Sequence, residues 1–206
     1  MKKQNIIQAP MGEKTVLLHT CCAPCSSAII EAMLQNGITP IIYYCNPNIY
    51  PHQEYEIRKE ECTRYAKALG LEIVDADYDH ENWLEAVKGM ENELERGGRC
   101  LKCFKLRLLR TARYAMERGI KVITTTLASS RWKSLDQINE AGLWACEEVA
   151  RLCSAGCSAE DIISPIFWEY NWRKGGLQER RLQILKEYDF YNQLYCGCEF
   201  SMRKED

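Results

Sequence analysis

Short apolar runs alternate along this chain with longer segments whose apolar positions recur every three or four residues. That alternation predicts strands interleaved with helices. Val16 to His19 reads as a short buried strand. Ser26 and Ser27 stand where a helix over "AIIEAMLQNG" would be capped, and Gly37 ends it. The β-branched and aromatic run "ITPIIYYCN" predicts a second strand, leaving through the Asn- and Pro-rich loop "NPNIYPHQ". In "EYEIRKEECTRYAKALG", Tyr55, Ile57, Cys62, Tyr65, Ala66 and Leu69 keep helical spacing up to Gly70. "LEIVDADY" predicts a third strand, and "HENWLEAVKGMENELERGG" and "RCLKCFKLRLLRTARYAMERG" two further helices. A strand over "IKVITTTL", a helix over "SLDQINEAGLWACEEVARLCSAG" and a strand over "DIISPIFW" follow. A last helix, "GLQERRLQILKEYDFYNQLY", runs into "CGCEFS".

This order predicts an α/β fold, a Rossmann-like parallel sheet flanked by helices, with a metal-binding helical C-terminal part. The 206 residues read as a single domain: a polar leader over 1–14, a catalytic α/β core over 15–201 and a short tail over 202–206. In such sheets ligands gather outside the carboxyl ends of the strands. Thr20, Cys21 and Cys22 follow the first strand at that end. A formal net charge of -2 excludes a global basic field, so any nucleic-acid binding rests on a local patch. No run approaches the roughly 18 apolar residues of a membrane span, and the leader lacks the apolar stretch of a signal peptide. The expected location is the cytoplasm. In that reducing compartment twelve cysteines point to metal or redox chemistry rather than a disulfide framework.

The cysteines fall into groups. Cys21, Cys22 and Cys25 lie at a strand-to-helix turn, where free N–H groups and the helix dipole favour thiolates. Cys100 and Cys103 form a C-x-x-C at a helix start, on one helix face. Joining Cys21 and Cys22 to Cys100 and Cys103 gives four thiolates, suited to structural zinc or to a [4Fe-4S] cluster, and spacing does not choose between them. His19, His52 and His80 form no zinc-finger pattern. Cys196 and Cys198 are separated only by Gly197. A disulfide there closes a small strained ring and reads as a switchable two-electron store, with a further metal half-site as the competing reading. Cys62 reads as core, as do Cys146, Cys153 and Cys157, while Cys45, ending a strand near the site, has no assigned role.

From Arg96 to Arg118 eight Lys/Arg face one acid, Glu117. Part of this run can steady a negatively charged cluster and the rest can meet phosphates. "SSRWK" and "NWRKGG" set basic residues beside tryptophan, suited to stacking on bases.

"LLHTCCAPCS", "NPNIYPHQEYEIRKEE", "RCLKCFKLRLLRTA", "TTTL" and "YCGCEFS" together resemble the signature of epoxyqueuosine reductases of the QueH type, in that family's order, from Leu17 to Ser201. Two features depart from the pattern: Cys45 replaces an expected aromatic, and "SSRWK" replaces S-P-Y/H-K. The resemblance implies a cobalamin-independent reduction of the epoxide of epoxyqueuosine in tRNA to the alkene of queuosine. It implies Cys21, Cys22, Cys100 and Cys103 as [4Fe-4S] ligands, Cys196 and Cys198 as a redox-active disulfide, and an external electron donor. It also implies an additional mononuclear iron, for which Cys25, Asp77 and Asp79 are candidates by motif proximity. The fold further resembles the PP-loop ATPases that modify tRNA, but "TCCAPCS" holds neither glycines nor Asp in their phosphate-loop slot. A PP-loop-like tRNA-thiolating enzyme and a non-catalytic zinc-stabilised RNA-binding module are the alternatives. The missing glycine loop counts against the first, and the Cys-Gly-Cys is unexplained by the second.

Overall fold

Strand β1, Thr15–Thr20, is buried at every position but the first, as a central strand covered on both faces must be. It pairs in parallel with β2, Thr39–Tyr44, and with β4, Val122–Thr125, so that Leu17 lies between Ile41 and Ile123. Adding β3, Ile73–Asp75, and β5, Ile166–Phe167, gives a five-stranded sheet, all parallel, in the order β3-β2-β1-β4-β5. The expected α/β architecture is what this computed structural model shows; it describes residues 6–154 and 164–202.

Among the described residues six helices flank the sheet: α1 Ala23–Gln35, α2 His52–Ala68, α3 His80–Ala86, α4 Gly98–Glu117, α5 Leu135–Ser154 and α6 Leu177–Glu187. Val16, Leu17, Leu18, Ile29, Ile30, Met33, Leu108 and Val122 make the centre of the core. The chain moves outward from β1 through β2 to β3, then returns to place β4 on the other side of β1. The crevice at the carboxyl ends of β1 and β4 is the switch point at which such sheets bind ligands.

Several boundaries differ from expectation. α1 starts at Ala23, with Cys22 as N-cap and Pro24 in the first turn, where its fixed φ suits a helix. Ser26 and Ser27 are therefore inside the helix, their hydroxyls donating to the carbonyls of Ala23 and Pro24. The helix expected over 80–98 ends at Ala86. Gly89 and Arg96 take positive φ beyond it, and the Glu93 carboxylate accepts the Arg99 N–H at 2.6 Å in the first turn of α4. The terminal helix stops at Glu187, so the part carrying Cys196 and Cys198 is irregular rather than helical. β4 stops at Thr125 and passes into a tight turn over Thr126–Ser129. Of the strand expected over 161–168 only Ile166–Phe167 forms among the described residues.

Candidate metal and redox centre

The carboxyl end of β1 delivers Cys21 directly into the switch-point crevice. Its N–H donates to Thr126 Oγ1 at 3.1 Å, and the same hydroxyl lies 3.4 Å from Cys21 Sγ, tying the end of β1 to the end of β4. The turn into α1 brings two more thiols to this point. The Sγ atoms of Cys21, Cys22 and Cys25 all lie within 4.8 Å of one another, the one such group of potential metal ligands among the described residues. Thiol hydrogen bonds from Cys22 and Cys25 hold Cys21 well below the usual thiol range. Burial holds Cys22 well above it, and the hydrogen bond to Cys21 pushes Cys25 up to about 12. Gln193 Nε2, from the irregular C-terminal segment, donates to Cys22 Sγ at 3.1 Å.

A second set of thiols faces two cations. Arg107 on α4 is buried, its Nε donating to the Cys45 carbonyl at 3.1 Å and its Nη2 to Asn46 Oδ1 at 2.5 Å. Its Nη1 lies 4.0 Å from Cys103 Sγ. Lys133 Nζ donates to Cys196 Sγ at 3.0 Å. Neither cation has a carboxylate partner within ion-pair distance among the described residues. Positive charge that is buried at Arg107 and half-buried at Lys133 calls for negative charge beside it, and the sulfur atoms of Cys103 and Cys196 stand in that place. Burial opposes the charge on Cys196, but the Lys133 ammonium, its hydrogen bond and Arg107 outweigh it and leave that thiol below its ordinary value. Cys198 is pushed up to about 12 by burial. The two thiols of one Cys-Gly-Cys are thus unlike: one is held below its ordinary pKa, the other above it.

The loop carrying that pair is held from α2. Glu54 and Arg58 form a buried ion pair at 2.6 Å, and the guanidinium donates to the carbonyls of Tyr195 and Cys196, each at 3.3 Å. Gly197 sits at φ +109, and a Cβ there would stand 2.9 Å from Ile49 Cγ1 and 3.1 Å from Arg58 Nη1. Its carbonyl accepts the Tyr50 N–H at 2.8 Å. Only glycine fits that backbone and that space.

His19 completes the floor. Its Nε2 lies 3.0 Å from the Cys45 carbonyl, which only accepts, so Nε2 carries the proton and Nδ1 accepts from Thr125 Oγ1 at 2.7 Å. Burial, helped by Arg107, lowers its pKa to about 3, so the ring is neutral.

Of the expected site residues, the structure gathers Cys21 and Cys22 and adds Cys25; Cys100 and Cys103 lie outside that tight group. Cys100 Sγ accepts the Arg96 N–H at 3.3 Å, and the C-x-x-C starts α4 as expected. Cys196 and Cys198 are free thiols here, with no disulfide between them. Asp77 is exposed and Asp79 accepts from Asn82, and neither joins the thiol group. Cys45 is wholly buried and contributes its carbonyl rather than its thiol to the site. Cys62 and Cys146 are core, and Cys153 is half-buried against Met116; Cys157 lies outside the described residues.

Part of the basic run is turned inward: Arg99 and Arg107 are buried, while Arg96, Lys102, Arg113 and Arg118 are exposed. Arg99 is buried and donates to the carbonyls of Met90, Glu91 and Glu93, Lys105 pairs with Glu140, and Arg118 with Glu72. Trp172 of "NWRKGG" is fully buried and unavailable for stacking. Lys133, read from sequence as part of a base-stacking patch, turns inward to Cys196. Nothing in the spacing of "SSRWK" marks that inward turn, and His19 and Gln193 likewise carry no local signal.

A donor set made only of thiols is soft and suits iron–sulfur clusters or zinc, and the unpaired cations beside it suit an anionic group. These residues therefore fit a thiolate-held metal group.

Comparison with known proteins agrees with the motif order. Residues 16–204 match the family described as Epoxyqueuosine reductase QueH. A protein of that name from Histophilus somni is 46% identical over 197 residues, covering 96% of this chain and 76% of the relative. Its namesake in Acinetobacter baylyi is 45% identical over 204 residues, covering 98% and 88%. Another, from Thermotoga maritima, is 33% identical over 191 residues, covering 91% and 90%.

Proposed function

The chain belongs to the epoxyqueuosine reductase QueH family, and from that premise we propose that it is an oxidoreductase converting the epoxide of epoxyqueuosine in tRNA to the alkene of queuosine. The reaction is the last step of queuosine biosynthesis, runs without cobalamin and takes place in the cytoplasm. In this reading Cys21, Cys22, Cys100 and Cys103 hold a [4Fe-4S] cluster, with a mononuclear iron in addition. Cys25 is the better candidate ligand for that iron, since its thiol stands with Cys21 and Cys22 and the two aspartates do not. When bound, the cluster supplies electrons and the extra iron supplies Lewis acidity toward an oxygen. The kinship with PP-loop ATPases belongs to the same proposal: thiols occupy the turn where those enzymes hold phosphate.

The residues of the chain balance the reaction. Epoxide, two electrons and two protons give alkene and water. Oxidation of Cys196 and Cys198 to a disulfide releases two electrons. One proton leaves Cys198 Sγ, and the second is held at Lys133 Nζ. An external reductant then restores both thiols. Arg58 and Gly197 keep the pair beside Lys133 throughout.

The observation that carries this reading is the unlike pair, a Cys196 held 3.0 Å from an ammonium and a Cys198 held as thiol, beside thiolate ligands of the family's pattern. A purely structural zinc site has no use for such a pair. The test is anaerobic purification, metal analysis and incubation with epoxyqueuosine tRNA and dithionite. Iron with sulfide, and nucleosides lacking one oxygen, support the reading. A colourless zinc protein that leaves the epoxide intact refutes it.

A further inference from the structure

The segment that delivers Lys133 to Cys196 also carries Trp132, the most exposed tryptophan among the described residues, at 66%. This ring is presented rather than left loose. Arg96 Nε donates to the Trp132 carbonyl at 2.9 Å and its Nη2 to the Arg131 carbonyl at 3.1 Å. Gln137 Nε2 in turn donates to the carbonyls of Arg96 and Gly97, at 2.9 and 3.2 Å. Arg173 Nη2 donates to the Lys133 carbonyl at 2.8 Å. Three loops and α5 are thereby tied into one rim. The Arg131 guanidinium lies 5.2 Å from the centre of the Trp132 ring. Arg96, Arg131 and Arg173 have no carboxylate within ion-pair distance among the described residues.

An aromatic face flanked by unpaired arginines is the chemistry that receives an unstacked base and its phosphates. We infer that Trp132 stacks on a base of the tRNA anticodon loop while Arg131 and its neighbours meet the backbone, so that the rim sets the target nucleotide near the Cys196 thiol that the next residue, Lys133, contacts. This rests on the tRNA-substrate reading above and assigns the surface that serves it.

The test uses the full chain and a labelled, unmodified anticodon stem–loop RNA, followed by fluorescence anisotropy across salt concentrations. Trp132→Ala is expected to weaken binding about tenfold with the salt slope unchanged, and Trp132→Phe to restore most of it. Arg131→Gln is expected to flatten the slope by roughly 0.7. Trp132→Ala binding as tightly as the wild type overturns the inference, even if epoxide reduction proceeds. A wild-type protein that neither binds the stem–loop nor reduces epoxyqueuosine tRNA overturns the substrate reading itself.

Discussion

Replacing Lys133 with Met removes the ammonium 3.0 Å from Cys196 Sγ and leaves a hydrocarbon of similar length. A hydrogen bond to a charged group contributes about 1.5–3 kcal/mol. Arg107 still acts on Cys196 in the variant, so the lower end applies. Losing that contribution raises the Cys196 pKa toward its ordinary value and lowers its thiolate fraction at every pH between the two midpoints. The sign follows from the direction of the shift. Cys196 is held below its ordinary value in the folded protein, so its thiolate persists to lower pH than that of a free cysteine. Removing the cation moves the midpoint upward, and the two proteins converge once pH exceeds both midpoints. The assay is the iodoacetamide alkylation rate of Cys196, followed by peptide mass spectrometry across pH. Lys133→Arg, which keeps a cation, serves as the control. Superimposable profiles for wild type and Lys133→Met would refute the pairing.

Gly197→Ala forces a Cβ against Ile49 and Arg58 at a positive φ and is expected to cost about 1–3 kcal/mol, read as a lowered Tm with loss of epoxide reduction. Arg107→Met leaves Asn46 Oδ1 without its donor and the thiols without a buried cation. It should destabilise by on the order of 2 kcal/mol in urea titration and lower the iron retained after gel filtration. With Cys100 a ligand of the proposed iron–sulfur cluster, Cys100→Ser is expected to abolish that cluster's visible absorption, whereas Cys62→Ser, in the core, should keep it while lowering Tm.

The sheet and most helices were legible because each strand is a short apolar run and each helix carries its own period, ended by glycine at 37, 70 and 119. Where the legibility stopped, a long-range contact had taken over from local pattern. The acidic stretch after Ala86 has helix-forming composition, yet Glu93 folds back to cap α4 and Arg99 gathers the carbonyls of the turn. The thiol chemistry was visible as spacing. Part of its electrostatics was visible too, since Arg107 stands four residues from Cys103 in the basic run of α4. The contribution of Lys133 was not, because it reaches Cys196 from the loop before α5, 63 residues away in sequence. One-signed charge along "RCLKCFKLRLLRTA" suggested a division between steadying a cluster and meeting phosphate, and the structure turns Arg99 and Arg107 inward while Lys102 and Arg113 stay exposed.

Single turnover tests the central claim most directly. The protein is reduced, freed of excess reductant under anaerobic conditions and mixed with one equivalent of epoxyqueuosine tRNA. Nucleosides and the Cys196–Cys198 peptide are then both read by mass spectrometry. The account predicts that queuosine appears and that the Cys-Gly-Cys peptide becomes disulfide-linked in the same proportion. Queuosine formed with both thiols still free, or equally well by Cys196→Ser, would contradict it.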